Sequence, residues 1–389
     1  MKPIPYGRQT ITDSDKEAVL SVLGGDFLTQ GPTVDEFEAA MAQYLGASHA
    51  VAVTNGTAAL HLAALALGVK PGDRVLVTPN TFVASANCIR YCGADVEFVD
   101  IDAKTYCLDL DQLEKKLAAS KSGTYRGIVA VDFAGYPLDF ERLRNIADQH
   151  GLWIIEDSCH ALGAEFLDSK QQWRKAGSGR FADIAVFSFH PVKHIACGEG
   201  GLAVTAKSDL NDRLRSLRTH GITRDPKLMH EAHGGWYMEM QSLGFNYRIS
   251  DILCALGLSQ MKRMDENLRR RREIAQVYRD ELAGTPLVLP NAEADSRARH
   301  AYHLYVVMCG NQNNQRKQLY DFLRANDVYA QVHYLPVYRH PYYQELYGKQ
   351  SFAACDNYYS RCLSLPMYHG LEHASQEYVI ETIKRFFKK

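Results

Sequence analysis

From residue 50 onward, short runs of β-branched and other apolar residues alternate with segments whose apolar positions recur at helical spacing. AVAVT (50–54) precedes GTAALHLAALALG, RVLVTP (74–79) precedes TFVASANCIRYCG, and DVEFVDI (95–101) precedes LDQLEKKLAAS. GIVAVDF (127–133) then precedes DFERLRNIADQHG, and LWIIED (152–157) follows. Strand and helix repeated in this order predict an α/β domain built on a largely parallel sheet. Two further runs, DIAVFSF (183–189) and GLAVT (201–205), are separated by a turn without a helix. That pair is expected to be antiparallel, which makes the sheet mixed, mostly parallel and seven-stranded by count of the runs.

A long helical region is expected from about Ile249 to Leu282. Beyond Thr285 the pattern becomes mixed, with YHLYVVM (302–308), a helix around Arg316–Asn326, VYAQVHYL (328–335) and a final helix ending RFFKK. The expected division is therefore residues 1–250, an N-terminal arm and large α/β domain, and 251–389, the connecting helix and a smaller α+β domain. Arg269 to Arg272 stand in a row beside Asp265, Glu266 and Glu273. They read as a solvated helix face, in preference to a phosphate clamp. No internal repeat or flexible linker is evident.

The chain has 389 residues, with 44 Lys+Arg against 45 Asp+Glu and 46% hydrophobic residues. That balance is ordinary for a globular protein and speaks against disorder. It also lacks the positive charge that drives nucleic-acid binding, although a local anion site remains open. The nine cysteines form no CxxC pair, so no zinc ribbon is expected, and their scatter suits a reducing compartment. Cys88 and Cys92, four apart on a probable helix, read as core packing. The opening MKPIPYGRQTITDSDK has no apolar stretch of the signal-peptide kind, and no run approaches a membrane span. The expectation is a cytoplasmic protein with neither a nucleic-acid nor a membrane partner.

Ligands of parallel α/β sheets bind at the carboxyl ends of the strands, so the strand-to-helix junctions come first. At Thr54-Asn55-Gly56-Thr57, a glycine where a helix begins lets backbone N–H groups approach a phosphate. The same residues also make an ordinary helix start. Neither a Walker A pattern nor GxGxxG is present. Asp157 ends the apolar strand LWIIED, with Glu156 expected to point the other way. It either caps the next turn or holds a protonated heteroaromatic nitrogen. Between Asp183 and Lys207 the only formally charged residues are Lys193 and Glu199. A lysine in such an apolar, Gly-rich setting is either a depressed-pKa nucleophile fit for a Schiff base or a side chain snorkelling from a turn. Ser188 could offer a hydroxyl to a phosphate. His190 and His194 are given no chemistry, and His230-Glu231-Ala232-His233 lacks HExxH spacing, so no metal site is expected.

Taken in order, GTAAL, TPNTFVASAN, EDSCHALGA, FSFHPVKHIACGEGG and LGFNYRISD resemble the DegT-type sugar aminotransferases, which are fold type I pyridoxal phosphate enzymes. The resemblance runs from FLTQGPTVDEFE (27–38) to LSLPMYHGL (363–371). It implies that Lys193 forms the Schiff base and that Asp157 partners the pyridine nitrogen. It further implies that His160 contacts the phenolic oxygen, that Phe82 stacks on the ring, and that Gly56, Thr57 and Ser188 cradle the phosphate. Asn246, in GFNYR, matches an asparagine that reaches the phosphate in a neighbouring subunit, which implies a homodimer with shared sites. Within the family, AQVHYLPVYRHPYYQELYG and neighbouring loops look most like the branch serving pseudaminic acid. That branch aminates C4 of a UDP-linked 4-keto-6-deoxy-N-acetyl-altrosamine with L-glutamate as donor. Tyr334 and Tyr338, near HYLPVY, are substrate-loop candidates, with packing as the competing explanation. Ala196-Cys197 departs from the two threonines frequent at that place. Three alternatives compete: another nucleotide-linked keto-sugar (GDP or dTDP), a sugar dehydratase on the same fold, and a non-catalytic cofactor-binding regulator. An intact Lys193 argues against the last two.

Overall fold

The computed structural model describes residues 3–290, 296–310 and 314–388. All seven strands expected from the apolar runs form, and they build one sheet: β1 (His49–Val53), β2 (Arg74–Val77), β3 (Asp95–Phe98), β4 (Gly127–Val131), β5 (Trp153–Asp157), β6 (Ile184–Ser188) and β7 (Gly201–Thr205). Their spatial order is β1-β7-β6-β5-β4-β2-β3. Strand β7 runs antiparallel to both β6 and β1, and the remaining pairs are parallel. Helices cover both faces, which is why β4 and β7 are buried along their whole length and read as continuous apolar runs.

The helix boundaries follow local chemistry. Asn55 caps helix Gly56–Ala66 by accepting the Ala58 N–H at 2.8 Å. Asp109 and Asp139 cap Leu110–Ala118 and Phe140–His150 in the same way. Glycines in the left-handed region end two helices, Gly46 (φ 67°) and Gly151 (φ 65°).

The long helical region divides in two, Asp251–Met261 and Met264–Leu282. Arg263 leaves the helical backbone region (φ −112°, ψ 10°), and its guanidinium pairs with the buried Asp15 at 2.9 Å. No proline or glycine announces that break. Beyond it, Tyr305–Met308 pairs antiparallel with Cys362–Leu365, and helices Gln315–Ala325 and His373–Phe387 pack on that pair through Leu319, Leu323, Val379 and Ile383. Ile4–Pro5 joins Val328–Tyr329 as a parallel pair, which carries Tyr6 to the cleft described below. Cys88 is buried in the core of the large sheet and Cys92 packs against it. Among the described residues, no helix is long and apolar enough to cross a membrane.

Candidate active site

The carboxyl ends of β1, β5 and β6 open onto a cleft of about 440 Å³. Gly56, Thr57, Phe82, Asp157, His160, Ser188, Lys193 and Tyr334 all line it, although they are spread over 279 positions from first to last. Asn55, Tyr6, Cys159, His190, Glu199, His303 and His333 also line it.

On one wall, the Asn55 carboxamide takes the Ala58 N–H, so among the described residues the Gly56 and Thr57 N–H groups face outward without an acceptor. The space around them is tightly drawn. A Cβ on Gly56 would stand 2.9 Å from Ser188 Cβ, and one on Gly201 would stand 2.3 Å from the Asn55 carbonyl oxygen. The helix N-terminus therefore meets Ser188 with room for backbone only. Free N–H groups, a hydroxyl and a helix of eleven residues behind them make a phosphate cradle.

On the floor, Asp157 is buried at the end of β5. Its Oδ2 accepts the Ser85 hydroxyl at 2.6 Å and its Oδ1 accepts the Cys159 N–H at 3.1 Å. The Thr81 hydroxyl lies 2.7 Å from that of Ser85, which extends the chain of hydroxyls. Glu156 points the other way, as strand alternation requires, and accepts the Gly177 N–H at 2.6 Å.

Lys193 sits in the turn after β6, its N–H donated to the His190 carbonyl at 2.8 Å. Burial pushes its pKa down, with Cys159 and Asp157 pulling upward and Arg271 adding to the fall. Its amine is thus more available as a nucleophile and base than that of a solvated lysine.

His160 is the best-defined imidazole. Its Nδ1 accepts the Ala134 N–H at 3.3 Å, so the hydrogen-bond network assigns the proton to Nε2, which donates to the Tyr334 hydroxyl oxygen at 3.2 Å. Burial first, then the Lys193 charge, hold His160 neutral. The Tyr334 O–H remains free to donate into the cleft, and burial raises its pKa. Phe82 stands over the opening, 56% exposed, with its ring 6.0 Å from that of Tyr334. A half-bare aromatic face beside a buried carboxylate suits a flat heteroaromatic ring. Cradle, face and acid together would suit pyridoxal phosphate.

Two sequence candidates lie outside the cleft. Tyr338 is a correction: it is buried between Phe98 and Phe352 and donates its hydroxyl to Asp356. The short helical turn Val337–Arg339 rotates it away from Tyr334, so packing accounts for it. Asn246 is exposed at the surface. Its neighbours Phe245 and Tyr247 stack on each other at 5.0 Å and meet His61 at steep angles, which leaves Asn246 on the outer side of an extended segment.

Ser85, Thr81, Tyr6, His303 and His333 were not singled out by the sequence. Ser85 carried a signal only in its closeness to Phe82, three residues before it. His303 carried another, a histidine inside the apolar run YHLYVVM. Tyr6 carried none. The arginine row is a further correction. Arg269 is exposed and paired with Glu273, but Arg271 is fully buried.

The sequence profile of the DegT/DnrJ/EryC1/StrS aminotransferase family matches residues 9–384. The spore coat polysaccharide biosynthesis protein SpsC of Bacillus subtilis is 36% identical, over 99% of this chain and 97% of its own. The UDP-4-amino-4,6-dideoxy-N-acetyl-beta-L-altrosamine transaminase of Campylobacter jejuni is 35% identical, over 99% of this chain and 98% of its own. Among solved structures, Helicobacter pylori PseC, an aminotransferase involved in the biosynthesis of pseudoaminic acid, superposes with a TM-score of 0.91 at 29% identity, covering 100% of both chains.

Proposed function

The chain belongs to the DegT/DnrJ/EryC1/StrS aminotransferase family and is a sugar aminotransferase, and we propose that with pyridoxal phosphate it transfers the amino group of L-glutamate to C4 of a UDP-linked 4-keto-6-deoxy-N-acetylhexosamine, the L-altrosamine precursor of pseudaminic acid. The observation that carries the chemistry is the convergence of Lys193, Asp157 and the Gly56–Ser188 cradle on one cleft. The substrate is supported by the 35% identity to the altrosamine transaminase across nearly both whole chains.

The chemistry supplied by pyridoxal phosphate when bound is an aldehyde that captures amines and a pyridine ring that takes up an electron pair from carbon. The protein's own residues do the rest. Gly56 and Thr57 N–H groups and the Ser188 hydroxyl would hold the phosphate. Asp157 keeps a proton on the ring nitrogen, its carboxylate fixed by Ser85 and Cys159. Phe82 would cover one ring face, and the His160 Nε2–H, which meets the Tyr334 hydroxyl here, would donate to the ring oxygen in exchange for it. Lys193 Nζ would take the proton from the amino donor's α carbon and deliver it to the cofactor carbon that carries the nitrogen, the donor leaving as its 2-oxo acid, a task its lowered pKa suits. Running the same transfers in reverse delivers nitrogen to the keto-sugar. Asn246, exposed on its rigid segment, would reach the phosphate of a second copy, which makes the working unit a homodimer.

The test is a screen of UDP-, GDP- and dTDP-linked keto-sugars with glutamate, with NMR of the products. Amination at C4 of the UDP-linked altrosamine precursor is expected. Turnover confined to a GDP- or dTDP-linked sugar would overturn the substrate while leaving the reaction in place.

A further inference from the structure

Folding splits the arginine row. Arg271 is 1% exposed, and its Nη1 donates to three backbone carbonyls, those of Tyr302 at 3.0 Å, His303 at 3.4 Å and Met367 at 3.1 Å. Its Nε has no partner, and among the described residues no carboxylate pairs with it. A buried charge without a counter-ion is costly, and an apolar side chain of the same size would fill the space at lower cost. What an apolar side chain could not do here is gather three carbonyls on one nitrogen, which the length of the arginine side chain sets among them.

The carbonyls it gathers belong to two segments that end in the cleft. The first places the His303 ring 4.4 Å from that of His160, whose Nε2–H meets Tyr334. In the second, the Met367 N–H donates to the Tyr6 carbonyl at 2.9 Å, and Tyr6 lines the opposite side of the same wall. Helix Met264–Leu282, remote in sequence from every cofactor residue, is thereby tied to both.

We propose that Arg271 is a positioning residue, whose guanidinium tethers the Tyr302–His303 and Met367 segments and so sets the cleft wall formed by His303 and Tyr6. The tether rests on geometry; its effect on turnover rests on the aminotransferase reading. Its charge acts in the same direction. Together with burial it lowers the pKa of Lys193, which also faces Asp157, Cys159, His160, His194, His303 and His333.

The test compares Arg271→Lys and Arg271→Met with the unsubstituted holoenzyme. Without its tether, the 300–304 backbone should exchange amide hydrogen severalfold faster in both variants, a readout that needs no cofactor chemistry. Turnover should fall about tenfold or more with the keto-sugar KM moved far less, the signature of a misplaced reacting group. The pH midpoint for uptake of pyridoxal phosphate by stripped enzyme should rise in Arg271→Met and stay in place in Arg271→Lys, where the charge survives. Unchanged exchange at 300–304 in a folded variant overturns the proposal. So does a loss of melting temperature with kcat, KM and the uptake midpoint all intact, which would make Arg271 a packing residue only. Should Arg271→Met not fold, Arg271→Lys decides by exchange and kcat. If the unsubstituted protein takes up no pyridoxal phosphate, the functional reading fails, and the exchange result still decides the tether.

Discussion

The Ser85 hydroxyl donates to Asp157 Oδ2 at 2.6 Å, and both groups are buried. A carboxylate at the end of β5 would otherwise be free to rotate; this bond, with the Cys159 N–H on the other oxygen, holds one edge toward the cleft. A hydrogen bond to a charged group contributes about 1.5–3 kcal/mol. Ser85→Ala is therefore expected to lower kcat roughly ten- to a hundredfold. Steady-state kinetics with glutamate and the keto-sugar measures it, and kcat equal to the parent's would show that Asp157 needs no such support.

Asp132 and Glu156 share the Ser158 hydroxyl, 2.7 Å from Asp132 Oδ2 and 3.0 Å from Glu156 Oε1. Burial raises both pKa values, with Glu156 pushed up from 4.5 to about 7 and Asp132 raised further by the Glu156 charge. Because the folded-state value lies above the unfolded one, the native state holds the extra proton. That contribution to stability is full below pH 4.5 and is lost as pH rises through about 7. Glu156→Gln should flatten this slope. Urea unfolding across the window checks it, and an equal slope in both proteins would contradict it.

The sheet was legible because each strand is a short β-branched run and each crossover a helical one, a pattern local in the chain. Lys193 and Asp157 were legible for a related reason, each being a charge stranded in apolar sequence. What escaped depends on contacts far apart in the chain. Tyr6 reaches the cleft only because Ile4–Pro5 pairs with Val328–Tyr329. Arg271 looked like the exposed Arg269, since nothing in a run of four arginines marks which of them turn inward. Tyr334 and Tyr338 looked alike by spacing, yet one helical turn sends the first to His160 and the second to Asp356.

Asn246 carries the quaternary prediction. The Phe245–Tyr247 stack fixes its direction without using its side chain. Asn246→Ala should weaken retention of pyridoxal phosphate about tenfold, the value of one hydrogen bond to a charged group, and leave melting of the chain unchanged. Equilibrium dialysis and light scattering read both the affinity and the mass. A monomer with full activity would refute a shared site.

The central claim is that Lys193 carries both attachment of the cofactor and the proton transfer, and single-turnover kinetics of Lys193→Ala with glutamate tests it most directly. The purified parent is expected to be yellow, and the variant to bind pyridoxal phosphate still through its cradle while losing turnover by roughly 10²–10⁴-fold or more. Turnover unchanged in Lys193→Ala would contradict it.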